Sequence, residues 1–334
     1  MESDSSLEFL KLLIKKKSIT PDDDGCQDLI EAFLKPLGFN RRVMNFNNVK
    51  NSLYSNSNSG KSICFLGHTD VVPPGEIKKW NTNPFDPQIK NDILYGRGAS
   101  DMKSSIVSFL FAVKEFIQEV PNHNLNLNVA LTSDEEGVAK FGIRKVTEVL
   151  LSENINFDYC IVGEPTSENN VGDMIKIGRR GSLSGNLTII GKRGHVAYPN
   201  QAINPIHTSS KFISDILNCK WDSGNDDFPP TSFQISNIHA GDGANNVIPE
   251  EINILFNFRY SPETTVNKLK EKVKEILENH QIDYKIDWSH SGEPFYTKKG
   301  KLTEIISRSI QKYTKQYPTL STIGGTSDGR FFKD

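Results

Sequence analysis

The chain has 334 residues, of which 36% are hydrophobic and 24% are charged. This composition is typical of a folded, soluble protein and argues against a disordered chain. The 39 basic and 41 acidic side chains nearly balance. No overall electrostatic field therefore favours binding to nucleic acid or to an anionic membrane surface.

Cysteine usage and hydropathy indicate the compartment. Cys26, Cys64, Cys160 and Cys219 are far apart and form no Cys-x-x-Cys pair, which fits reduced thiols in a cytoplasmic protein. The N-terminus lacks the basic start and long apolar core of a signal peptide. The most apolar helical stretch, 106–117, is shorter than the ~20 residues that a membrane span needs. We therefore predict a cytoplasmic protein with no membrane segment.

Helices and strands alternate along the first half of the chain. Residues 5–17 and 28–37 carry apolar side chains at helical spacing, and the acidic run 22–24 between them predicts a solvated turn rather than a cation site. Further segments follow in order: buried strands at 63–66, 125–132 and 158–162, and a helix at 106–117 capped by Ser100. This alternation predicts a mostly parallel sheet, in which ligands gather at the carboxyl ends of the strands.

Polar side chains follow these strands where each one ends. His68 follows the first strand, Glu136 the second and Glu164 the third, while Asp101 is placed in the first turn of the 106–117 helix. Taken singly, each has an ordinary explanation as a loop or helix-start residue. Together they form a mixed nitrogen and oxygen donor set that suits zinc or a similar divalent ion, and one acid could bridge two ions.

Two further acids extend this set. Asp70 lies two residues after His68, so it points to the same side of an extended chain and can fix the imidazole ring. Glu135 and Glu136 leave the backbone in opposed directions, so one can hold a metal while its neighbour faces the substrate water.

The second half of the chain changes in character after residue 180. Its predicted elements are a strand at 182–191, a helix at 204–219, strands at 233–239 and 252–260, a helix at 266–278 and a strand at 282–288. This order is the split βαβ arrangement. It predicts an inserted domain at 181–292 within a catalytic domain made of 1–180 and 293–334.

Four motifs, at 67–73, 96–103, 134–137 and 163–166, resemble the metal-binding motifs of the M20 co-catalytic metallopeptidases. Three later motifs, at 178–182, 243–249 and 324–330, are similar to those of one branch of that family. The resemblance implies an α/β zinc-hydrolase catalytic domain with helices around a mostly parallel mixed sheet. It also implies an inserted ferredoxin-like (βαββαβ) domain that acts in dimerisation and as a lid.

The resemblance also implies a role for each site residue. His68 and Glu164 would bind one zinc, Asp101 would bridge and Glu136 would bind a second zinc, with cobalt able to substitute. Asp70 would orient His68, Glu135 would be the general base, and His195 would reach into the site of a partner subunit. Positions that match the family's substrate-binding residues are Arg179, Ser182, Tyr198, Asn245, Asn246, Arg259, Gly325 and Thr326.

The implied reaction is hydrolysis of the amide bond in a succinylated diamino acid. Two alternatives remain open at this point: an M20 enzyme acting on an acetylated or aminoacylated amino acid, and an inactive chain that dimerises through 181–292. The family's last zinc ligand is a histidine well downstream of the 324–330 motif, whereas this sequence stops at Asp334. We therefore expect weak or absent binding of a second ion and reduced turnover.

Overall fold

The computed structural model describes residues 5–332. The chain divides into two compact units, one comprising residues 5–166 with 327–332 and the other comprising 167–326. The predicted βαββαβ segment 181–292 lies inside the second unit.

The first unit contains four α-helices and seven strands in its described part. They are α1 (Ser6–Lys15), α2 (Cys26–Leu34), β1 (Asn40–Val43), β2 (Asn51–Ser55), β3 (Ser62–His68), β4 (Gln88–Lys90), β5 (Ile93–Tyr95), α3 (Ser104–Glu119), β6 (Asn126–Thr132), α4 (Ile143–Ser152) and β7 (Tyr159–Val162).

One five-stranded sheet organises this unit, in the order β1-β2-β6-β3-β7. β3 pairs parallel with both β6 and β7, while β1, β2 and β6 pair antiparallel. The predicted mixed α/β fold is confirmed, with the parallel pairing confined to the three strands that precede the candidate ligands. Their carboxyl ends therefore lie at one edge of the sheet.

Both faces of β3 are buried, which explains its continuous apolar sequence. Phe65 packs in a core with Leu13, Ile30 and Leu110 of α1, α2 and α3. Leu66, the next residue, contacts the opposite core, which includes Val146 of α4. Because successive side chains point to opposite faces, one short strand anchors two cores and holds the segment after it.

The predicted start of the central helix is wrong. α3 begins at Ser104, and Asp101 lies before it in a wide helical turn, Ala99–Lys103. Asp101 has φ −120° and ψ 102°, an extended conformation outside the α region. Ser100 therefore does not cap this helix, and the Asp101 carboxylate is not part of its first turn.

The second unit contains three α-helices and ten strands. They are β8 (Met174–Lys176), β9 (Gly178–Arg179), β10 (Gly181–Ile190), β11 (Gly194–His195), α5 (Pro205–Leu217), β12 (Ser232–Ala240), β13 (Val247–Ile248), β14 (Glu251–Tyr260), α6 (Val266–Asn279), β15 (Tyr284–Gly292), β16 (Phe295–Tyr296), α7 (Lys301–Thr314) and β17 (Thr319–Ser321).

Its main sheet has the order β12-β14-β10-β15 and is antiparallel throughout. With α5 after β10 and α6 after β14, this is the predicted βαββαβ order. Phe212 of α5 and Val273 of α6 pack with Leu187, Ile254 and other apolar side chains of the sheet. Alternate residues of β14 are buried, which is typical of a sheet with one covered face. Among the helices of residues 5–332, none is long and apolar enough to cross a membrane.

Candidate metal centre and active site

His68 is the last residue of β3, and its side chain is only 1% exposed. Its Nδ1 lies 2.9 Å from the carbonyl oxygen of Asp70. A carbonyl can only accept a hydrogen bond, so Nδ1 carries a proton and Nε2 is the ring nitrogen that faces the cluster. Nε2 faces Oδ1 of Asp101 at 3.1 Å and Oε1 of Glu164 at 3.7 Å. Donors from three distant parts of the sequence therefore converge on one point.

Asp70, which is fully buried, connects two strand ends. Its carboxylate accepts hydrogen bonds from the backbone N–H groups of Glu135, at 3.4 Å, and Glu136, at 3.1 Å. Its Oδ1 also lies 3.5 Å from Nδ1 of His68. The nearest partner of the imidazole is thus the carbonyl of Asp70, and the carboxylate mainly fixes the backbone that carries the two glutamates.

Both glutamates reach the cluster. Donor atoms of His68, Glu135 and Glu164 lie within 4.8 Å of one another, and so do those of His68, Asp101 and Glu136. The two groups share one imidazole. Geometry alone therefore allows either glutamate to contact a bound ion.

Tight packing behind the cluster fixes the relative positions of its segments. A Cβ added to Gly67 would lie 2.7 Å from Cε of Met102, and one added to Gly163 would lie 2.5 Å from the same atom and still closer to the ring of Phe65. The two glycines immediately before His68 and Glu164 therefore leave the room that the side chains of Met102 and Phe65 occupy. Met102, which follows Asp101, therefore packs between the two strand ends.

The carboxylates of the cluster are held in an environment that disfavours their charge. Burial raises the pKa of Glu164 to about 7, opposed by His68 and reinforced by Glu135 and Asp101. Burial also raises the pKa of Glu135 and of Glu136. A cation bound between these carboxylates would offset their mutual repulsion and lower their pKa values again.

The imidazole responds in the opposite way. Burial by itself lowers the pKa of His68, but hydrogen bonding to Asp101 and Asp70 and the nearby charge of Glu164 raise it well above its ordinary value. A proton on Nε2 and a metal ion at the same place would satisfy the same demand for positive charge. The donor set, one imidazole nitrogen with several carboxylate oxygens, fits a first-row divalent ion.

Sequence reasoning missed two residues near this cluster. Asp328 is 3% exposed, and neither of its carboxylate oxygens has a hydrogen-bond partner among residues 5–332. Nη2 of Arg330 lies 3.6 Å from Oδ1 of Asp328. Burial, followed by the charge of Glu135, raises the pKa of Asp328 well above its usual range. Since both residues lie in a short turn without periodic pattern, only the family motif could have singled them out.

The predicted substrate-binding residues all lie in the second unit. Arg179 is buried, and its Nη1 donates a hydrogen bond to the carbonyl of Ile323, at 2.9 Å, in the loop that leads to Gly325 and Thr326. Ser182 and Arg259 lie opposite each other in the β10–β14 pair. Arg179 is therefore held against the 323–326 loop, and Arg259 lies beside Ser182 on the neighbouring strand.

A second group in this unit is exposed. His195 pairs with Val247 across β11 and β13, and its ring centroid lies 5.9 Å from that of Tyr198. The backbone N–H of Val196 donates to the carbonyl of Asn246 at 3.1 Å. His195, Tyr198, Asn245 and Asn246 therefore share one solvent-exposed corner.

One buried imidazole with carboxylates from three other segments is an arrangement typical of metal-dependent hydrolases. The sequence model of Peptidase family M20/M25/M40 matches residues 64–334. The chain belongs to this family, as its motifs predicted, and it is a hydrolase of a metal-dependent type.

Curated relatives are similar over nearly the whole chain. Succinyl-diaminopimelate desuccinylase of Methylobacillus flagellatus is 51% identical over 329 residues, which are 98% of this chain and 88% of the relative. The enzyme of the same name from Nitrosomonas europaea is 50% identical over 332 residues, or 99% and 88% of the two chains.

Solved structures of more distant proteins show the same fold. The M20 family metallo-carboxypeptidase Sso-CP2 from Sulfolobus solfataricus has a TM-score of 0.80 at 20% identity, covering 98% of this chain and 88% of that one. Aminopeptidase PepT from Bacillus cereus has a TM-score of 0.75 at 17% identity, covering 99% and 87%. At such identities the likeness establishes the fold alone.

Proposed function

We propose that this chain hydrolyses N-succinyl-LL-2,6-diaminopimelate to succinate and LL-2,6-diaminopimelate, a step of lysine and diaminopimelate biosynthesis in the cytoplasm. The observation that carries the proposal is identity of about 50% to desuccinylases over nearly the whole chain. The buried donor cluster around His68 supplies the chemistry that such a reaction needs.

Zinc is the ion that we propose for this centre, with cobalt as a substitute. His68, Glu164, Asp101 and Glu136 would hold it through one nitrogen and several oxygens. A bound ion of this kind lowers the pKa of a coordinated water from 15.7 to roughly 7 and polarises the scissile carbonyl. Because the two donor groups share the His68 imidazole, we propose one tightly held ion and a second, weaker site. A metal titration that gives two tight equivalents would contradict this.

Glu135 is the proposed general base. It accepts a proton from the attacking water as the water oxygen forms a bond to the amide carbon. It then delivers that proton to the departing nitrogen as the carbon–nitrogen bond breaks. The hydrogen bond from its own N–H to Asp70 fixes the start of the side chain. The protonated amine then leaves, and the acyl part is released as a carboxylate.

Substrate carboxylates require guanidinium and amide donors. We propose Arg179 and Arg259 for this role, assisted by polar groups of Ser182, Tyr198, Asn245, Asn246, Gly325 and Thr326. His195 is proposed to donate a hydrogen bond to the carbonyl oxygen as negative charge develops there. It would act in the site of a second copy of the chain.

Such a role for His195 requires a homodimer formed through residues 181–292. Support comes from exposed apolar side chains near His195, namely Val196, Tyr198, Ile203 and Ile206. We expect sedimentation equilibrium to give twice the chain mass, and a monomer at micromolar concentration would contradict the proposal.

Turnover on two substrates tests the proposed function. Purified protein is assayed on N-succinyl-LL-2,6-diaminopimelate and on N-acetylornithine, each with and without added zinc. We expect zinc-dependent succinate release and little acetate release. Preference for acetylornithine would instead identify a deacetylase of the same family, and a dimer without either activity would indicate an inactive binding protein.

A further inference from the structure

A segment outside the residues matched by the family model, 13–27, contacts three of the loops that carry the candidate ligands. We call it the N-terminal connector, because it joins the last turn of α1 to the first turn of α2. Besides the apolar side chains that pack in the core, this segment makes polar contacts with the ligand loops.

The connector is hydrogen-bonded along the end of β3. Oγ of Ser18, a fully buried residue, donates to the carbonyl of Thr69 at 2.6 Å. The N–H of Val71 donates to the carbonyl of Ser18 at 2.8 Å, and the N–H of Thr20 donates to the carbonyl of Val71 at 3.0 Å. The backbone on the carboxyl side of His68 is therefore held in place by the connector.

Asp23 makes the most specific of these contacts. The acidic run 22–24 was predicted as a solvated turn, but Asp23 is only 5% exposed, whereas Asp22 and Asp24 face solvent. Oδ1 of Asp23 accepts a hydrogen bond from Oγ1 of Thr69 at 2.6 Å. Its Oδ2 accepts one from the N–H of Gln27 at 3.1 Å, in the first turn of α2. A buried carboxylate thus connects α2 to the residue between His68 and Asp70.

The connector reaches the other two ligand loops as well. Oγ of Ser133, two residues before Glu135, donates to the carbonyl of Pro21 at 2.8 Å. Lys103, two residues after Asp101, is 1% exposed, and its Nζ donates to the carbonyl of Leu13 at 2.8 Å. It also donates to the carbonyl of Lys16 at 3.1 Å, so the ammonium sits at the negative end of the α1 dipole.

We propose that the N-terminal connector positions the metal ligands, with Asp23 acting through Thr69 and Lys103 acting on the Asp101 turn. This inference rests on the proposed metal centre. Within residues 5–332, the hydrogen bonds of Asp23 and Lys103 go to Thr69, Gln27 and the carbonyls of Leu13 and Lys16 and not to donor atoms of the cluster, so both are positioning residues. Groups that orient metal ligands from outside the coordination shell contribute about 10- to 100-fold in metal affinity.

Two pairs of variants test the proposal. Thr69→Val removes the hydroxyl at nearly constant volume, and Thr69→Ser keeps it. Asp23→Asn removes the charge at the buried position, and Asp22→Asn makes the same change on the exposed neighbour. The dissociation constant of Co²⁺ is measured from its visible absorption, after circular dichroism has verified that each metal-free variant is folded.

We expect Co²⁺ binding to weaken by about 10- to 100-fold in Thr69→Val and Asp23→Asn. Thr69→Ser and Asp22→Asn should bind as the parent chain does. Equal dissociation constants in all five proteins would overturn the inference while leaving the proposed function intact. Unfolding of metal-free Thr69→Val would also overturn it, since the hydroxyl would then serve stability alone. A parent chain that binds no Co²⁺ would remove the proposed metal centre and this inference together.

Discussion

The two most buried residues of the candidate metal centre contrast with the exposed corner of the second unit that carries His195. In the first unit, His68 and Asp70 are fully buried, and their polar atoms are hydrogen-bonded within the chain. In the second, His195 and Tyr198 are exposed, the latter by 61%. Contacts within the chain therefore hold these two residues of the candidate metal centre. The exposed residues of the second unit need a substrate or another chain to fix theirs.

Removal of the His68 imidazole should cause the largest loss of metal affinity and activity. In His68→Ala both donor groups lose their nitrogen, so we expect metal affinity to fall by more than about 100-fold, beyond the loss typical of outer groups. Activity at ordinary metal concentration should disappear. Metal analysis after dialysis measures this, with the exposed His207→Ala as control. If His68→Ala retained as much metal as the parent chain, the proposed metal centre would be contradicted.

Replacement of the proposed base should separate chemistry from metal binding. In Glu135→Gln we expect kcat to fall by about 10²- to 10⁴-fold because proton transfer is lost, while metal content stays unchanged. Steady-state kinetics and metal analysis measure the two effects, and Glu148→Gln on the exposed face of α4 is the control. Loss of metal in Glu135→Gln would instead make Glu135 a ligand.

His195→Ala should affect turnover without touching the metal centre. A lost donor to the developing oxyanion predicts a fall in kcat of about 10²- to 10³-fold. Metal affinity should be that of the parent chain, because His195 is not among the proposed metal ligands. The exposed His239→Ala is the matched control. A kcat within twofold of the parent value would remove His195 from the reaction.

The smallest expected effect is on the pH dependence of stability in the metal-free chain. Glu164 keeps its proton up to about pH 7 in the folded state but loses it near 4.5 when unfolded. The folded state thus binds more protons in this window, and stability falls as pH rises through it. The raised pKa of His68 acts with the same sign, since its contribution is lost as pH rises through the folded value.

Urea unfolding of the metal-free chain at pH 5 and pH 8 measures how the free energy of unfolding changes with pH. We expect a loss of about 1–3 kcal/mol between the two, since one pKa unit corresponds to ~1.4 kcal/mol. Glu164→Gln should flatten the dependence, and added zinc should stabilise the chain more at pH 8. A stability that rises with pH in the metal-free chain would show that these groups do not control it.

Elements could be predicted where local pattern and packing agree. The apolar run before His68 indicated a buried strand, and periodicity gave the order of helices and strands in 181–292. The antiparallel addition of β1 and β2 could not be predicted, because sheet order depends on contacts between distant segments.

The convergence of the candidate ligands was predictable, but the contacts that hold them were not. Strand ends and motifs indicated His68, Asp101 and Glu164, whose side chains lie close together in the structure. The extended conformation of Asp101 could not be predicted, because the local sequence gives no sign of it. Asp23 was assigned to solvent, since three successive acids carry no sign that the middle one meets a threonine 46 positions away.

The contact of Met102 with positions 67 and 163 has an evolutionary consequence. One thioether fills the gap between two glycines from separate strands, so the volumes available at these three positions are coupled. An added methyl group at 67 would press on the flexible end of Met102, whereas one at 163 would also meet the ring of Phe65. Sequence drift at 163 should therefore proceed together with changes at 65 and 102, and single replacements there should be rarer than at 67.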